Sequence, residues 1–108
     1  MRKTTTKQSK TTTGARLTAH LGESSYGNPQ PMLALEMPAD ATHRACNAAL
    51  HRAAALVEEA TPAHEGWIVQ LDHDHGQCGA VYLELVKANK DEADRGVAVL
   101  ENVARRGL

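Results

Sequence analysis

Phenylalanine is absent, and the only other aromatic rings apart from histidine are Tyr26, Trp67 and Tyr82. A core built from this chain must therefore be aliphatic. Stacking of unpaired bases needs several exposed rings on one sheet face, so a base-stacking platform is disfavoured. Long apolar runs are missing too. None approaches the roughly 20 residues that span a bilayer. The opening MRKTTTKQSKTTTG has no apolar segment of the secretory kind. Cysteine is scarce, with Cys46 and Cys78 alone. The expectation is a cytoplasmic protein with two free thiols and no cofactor. Also missing are a glycine-rich phosphate loop, a Ser-His-Asp set and a paired-carboxylate signature.

What is present is a charge asymmetry. The formal net charge is −1 over 108 residues. Residues 1–16 hold five Lys and Arg and no acid, whereas residues 17–108 hold seven bases against thirteen acids, a formal −6. A basic tail precedes an acidic body. Residues 1–14 are Thr, Lys, Ser and Gln without periodicity, a composition that cannot bury enough apolar surface to offset ordering entropy. They are expected to be a disordered tail, and residues 15–108 a single domain. Lys3, Lys7 and Lys10 are the tail's candidate nucleic-acid contacts, weak and salt-sensitive.

The body is read from its periodicities. Residues 15–21 alternate, with Ala15, Leu17, Ala19 and Leu21 on one face, and form a first strand. GESSYGNPQP, residues 22–31, is a loop by its turn formers. Tyr26 inside it is either a contact residue or a lid folded back on the core. Residues 32–37 form a second strand. From Asp40, a candidate N-cap, to Thr61, the residues Cys46, Ala49, Leu50, Ala53, Val57 and Ala60 recur at helical spacing. Pro62 ends that helix. So many alanines let it lie flat on a sheet, with Cys46 as a small core residue. Residues 66–72 and 79–87 form a hairpin pair of strands. A second helix starts at Asn89, with Glu92 completing a near capping box, and ends at Gly107. Gly96 within it costs about 1 kcal/mol against alanine, and close packing explains keeping it.

The order ββαββα predicts an α+β two-layer sandwich: a four-stranded antiparallel sheet with both helices on one face. The other face then carries Thr18, His20, Ile68, Gln70, Tyr82, Glu84 and Val86. That mixture is apolar enough to suggest a contact surface for a protein partner or a second copy of the chain. Tyr26, Ile68, Tyr82, Glu84 and Val86 are the candidate partner-binding residues.

Asp72 to Cys78 is the most chemically loaded stretch. His73, His75 and Cys78 are competent zinc ligands, although no second ligand pair at zinc-finger spacing accompanies them. A solvated hairpin tip is the competing reading. A Cys78–histidine nucleophile there would lack an orienting group. The chain reads best as a small non-catalytic protein-binding accessory or inhibitor protein. Size and charge extend the analogy to phage or mobile-element proteins that block a nucleic-acid-handling complex, in the manner of anti-CRISPR or anti-restriction proteins. The alternatives are a nucleic-acid-binding module using the tail and a metal-binding protein or enzyme using His73, His75 and Cys78.

Overall fold

Alternation of small and branched apolar residues with polar ones builds four strands, and two amphipathic stretches build the helices that cover them. The computed structural model describes residues 14–61, 66–73, 79–85 and 89–108. Strands β1 (Arg16–Glu23) and β2 (Pro29–Glu36) precede α1 (His43–Ala60); β3 (Ile68–Asp72) and β4 (Gly79–Glu84) precede α2 (Lys90–Arg106). The sheet order is β1-β2-β4-β3, antiparallel throughout. This is the expected ββαββα two-layer sandwich. The basic tail, with Lys3, Lys7 and Lys10, lies outside the described residues, as do His75, Cys78 and Val86.

Register assigns the faces. Leu17 lies opposite Leu35, Ala19 opposite Leu33, Leu33 opposite Val81, and Val69 opposite Leu83. These residues point toward the helices, and Leu33, Leu35, Val81 and Leu83 are fully or almost fully buried. Helix α2 lies over β1 and β2, α1 lies over β3 and β4, and the helices touch each other. Among the described residues no polar or charged one is buried. The core is thus aliphatic, closed at one end by Trp67. The Arg95 guanidinium sits 5.5 Å from the centre of that indole ring, a cation–π contact. The indole Nε1 is buried, with no acceptor among the described residues.

Small residues set the distance between the layers. Ala49 and Ala53 of α1 are buried beside Leu50 and Val57. On α2, a Cβ at Gly96 would lie 2.6 Å from Pro31 Cγ and 3.4 Å from Leu83 Cδ1. Gly96 is therefore kept because the helix rests directly on the sheet. On β4, a Cβ at Gly79 would meet the Asp72 carbonyl oxygen at 2.6 Å and Leu50 Cδ2 at 3.0 Å, so α1 presses on the root of the β3–β4 hairpin.

The helix ends follow local chemistry. Asn89 caps α2, its side chain accepting from Glu92 N at 2.9 Å. Asp91 and Glu92 lie at the positive end and Arg105 and Arg106 at the negative end. For α1 the expected cap is corrected. Thr42, not Asp40, is the N-cap, and its hydroxyl accepts from Ala45 N at 3.0 Å. Both residue types cap helices, and the chain turns two residues later than Asp40.

Two further expectations are overturned. The ten-residue loop over 22–31 shrinks to residues 24–28, because Gly22, Glu23 and Pro29–Pro31 are paired strand residues. Proline survives there because that part of β2 is paired on one side only; pairing with β4 begins at Met32. The second correction concerns the thiols. Cys46 is disulfide-bonded, and no described cysteine is free.

Gly96→Ala gains helix propensity of about 1 kcal/mol but forces overpacking that costs about 1–3 kcal/mol. The variant should have a lower Tm in thermal unfolding; a higher Tm would mean that helix and sheet are looser than described. Peptide mapping of unreduced protein should find Cys46 only in a disulfide-linked peptide. Alkylation of Cys46 without reductant would refute the bond.

Candidate functional site

The turn between β1 and β2 is built by its own polar groups. Ser24 N donates to Asn28 O at 2.8 Å, and Gly27 N donates to Ser24 O at 2.9 Å. The Ser24 hydroxyl oxygen accepts from Tyr26 N at 3.3 Å and Asn28 N at 3.1 Å. Gly27 adopts φ 82°, a conformation that favours glycine. These bonds fix the turn and display Tyr26 at its tip, 90% exposed. The lid reading of Tyr26 is therefore wrong: the ring does not cover the core, because the shorter loop has no slack to carry it there.

Beneath that tip the sheet forks. Residues Met32–Leu35 of β2 pair with β4. Beyond Met32 come Pro31 and Pro29, whose nitrogens carry no hydrogen for the ladder. The fork is a groove of about 270 Å³ lined by Ser24, Tyr26, Asn28, Pro29 and Gln30 on one side and by Gly66, Ile68, Leu83, Glu84 and Leu85 on the other. Pro29, Ile68, Leu83 and Leu85 bring apolar groups to the lining and Ser24, Tyr26, Asn28, Gln30 and Glu84 bring polar ones. The rim carries hydroxyl and amide groups and one carboxylate.

The groove opens beside the face that no helix covers. Pairing places His20, Met32, Tyr82 and Gln70 in one row across the four strands, with Ile68 opposite Glu84 in the next. Ile68 is 53% exposed, while Tyr82 and Met32 are half-buried. The Gln70 amide donates to Glu84 Oε1 at 3.4 Å, holding that carboxylate against the sheet. At the far end Arg16 lies 3.7 Å from Glu36 in an exposed ion pair.

Of the expected partner-binding residues, Tyr26, Ile68 and Glu84 meet at one groove, and Tyr82 lies next to it on the same face. Val86 falls outside the described residues. Asn28, Gln30 and Met32 were not singled out in the sequence. Met32 was legible, since it alternates out of phase with Leu33 and Leu35; the two amides gain meaning only from the fork. Of the expected metal set only His73 lies among the described residues. His73 is exposed at the end of β3, next to His51 of α1, while His75 and Cys78 lie outside the described residues. Among those described, no group of three or more His, Cys, Asp or Glu side chains is placed to hold a metal ion, and no helix is long and apolar enough to cross a membrane. No protein-family model, curated protein or solved structure matches the chain.

Proposed function

We propose that this chain is a non-catalytic protein-binding module that docks a partner through the fork groove and the adjoining open sheet face, as an accessory or inhibitor protein. The observation that carries this reading is a 90% exposed tyrosine on a hydrogen-bonded turn, beside a groove of mixed polar and apolar lining. Tyrosine offers a large contact area at a low ordering cost, and such residues dominate binding energy when they sit at the centre of an interface. Ile68 supplies further exposed apolar surface. Glu84 and the net negative body favour a partner surface bearing Lys or Arg. A basic nucleic-acid-handling protein fits that description, which is where the analogy to small inhibitors of such complexes enters. A disulfide persists mainly in oxidising surroundings, so the bond at Cys46 weighs against the cytoplasmic expectation.

The test uses a partner recovered from native host lysate in the presence of nuclease. Tyr26→Ala and Ile68→Asp alter exposed residues and should leave Tm nearly unchanged. Each should weaken binding at least tenfold, about 1.4 kcal/mol. Deletion of residues 1–14 should leave binding intact. The opposite pattern, with loss on tail deletion and a steep salt dependence, would transfer the function to nucleic-acid contact by the tail.

A further inference from the structure

Helix α1 and strand β3 bring two histidines together from positions 51 and 73. Their ring centres are 6.0 Å apart, with the planes inclined at 52°. Both residues are exposed. The juxtaposition is built from below. Leu50 is fully buried and seats against the hairpin root, where only the missing Cβ of Gly79 makes room for it. That contact fixes the rotation of α1 over the hairpin. It leaves the next residue, His51, on the flank facing the end of β3, where His73 follows Asp72.

We propose that His51 and His73 form a surface site for a borderline divalent transition-metal ion of the Zn²⁺ or Ni²⁺ kind. A metal–imidazole nitrogen distance of 2.0–2.1 Å puts the centres of two rings on one ion roughly 5–6.5 Å apart, depending on the angle between them. The observed spacing lies in that range. The tilt rules out a parallel ring stack as the reason for the approach. Exposed imidazoles can rotate to turn a nitrogen each toward a shared ion at little cost. The described residues supply two ligands, and water can fill further positions of the coordination shell. Such an ion would clamp α1 to β3. This proposal is independent of the protein-interface reading, because neither histidine lines the fork groove.

The experiment is a calorimetric titration of the untagged full-length chain with ZnCl₂ in the absence of reductant, repeated for His51→Ala, His73→Ala and the exposed-helix control His43→Ala. One ion should bind per chain. Each of the first two substitutions should weaken binding at least tenfold, and the control should not. Zinc should also raise the Tm of the native chain and of the control, but not of the other two variants. Saturable binding that His51→Ala leaves unchanged would overturn the pair as the site. No saturable binding would overturn the proposal outright.

Discussion

Everything in this fold depends on how closely two helices approach one sheet. With no phenylalanine and one tryptophan, there are few large rings to fill a thick interlayer space. The layers must therefore come close, and small residues allow it. Gly96 sets α2 on Pro31 and Leu83, Gly79 accepts Leu50, and Ala49 and Ala53 complete the inner face of α1. Aliphatic interiors reach native density only when such steps interlock. A single methyl group at position 96 would have to displace backbone or a proline ring.

The same contact shapes the outer surface. Pro31 is the platform on which Gly96 rests and also the residue at which β2 ceases to pair with β4. Its ring gives α2 a rigid seat, and its missing N–H ends the ladder. The fork that follows is the groove beneath Tyr26. Core packing and the candidate docking site therefore share one residue, and the groove is as rigid as the layer contact that produces it. Because both helices occupy one face, Ile68, Met32 and Tyr82 stay on the other. The exposed part of that face thus follows from the architecture rather than from loose packing.

Much of this was readable in the chain. Alternation in residues 15–21 and 32–37 marked the faces of β1 and β2 correctly, and Asn89, Glu92 and Gly107 marked the limits of α2. The reason for Gly96 was legible as close packing, though not its partner. The prolines misled, because proline near glycine and asparagine looks like a loop unless one knows that the strand has a neighbour on one side only. Asp40 and Thr42 are both good caps, and local chemistry alone does not rank them. Cys46 read as a core residue because its helical face is apolar, while a disulfide is a matter of proximity across the fold. The open-face residues were named one by one. Their convergence with Tyr26 was not readable, since it depends on how the residue 24–28 turn sits against residues 66–68 and 84–85. The approach of His51 to His73 was hidden for the same reason.

The central claim is that the bare face and its fork meet a protein partner. Site-specific photocrosslinking in the native host tests it most directly, with a photoreactive amino acid placed at Ile68 in one strain and at exposed Arg52 of α1 in another. The account predicts one discrete protein adduct from position 68, resistant to nuclease, and none from position 52. Equal adducts from both positions, or none from position 68, would contradict it.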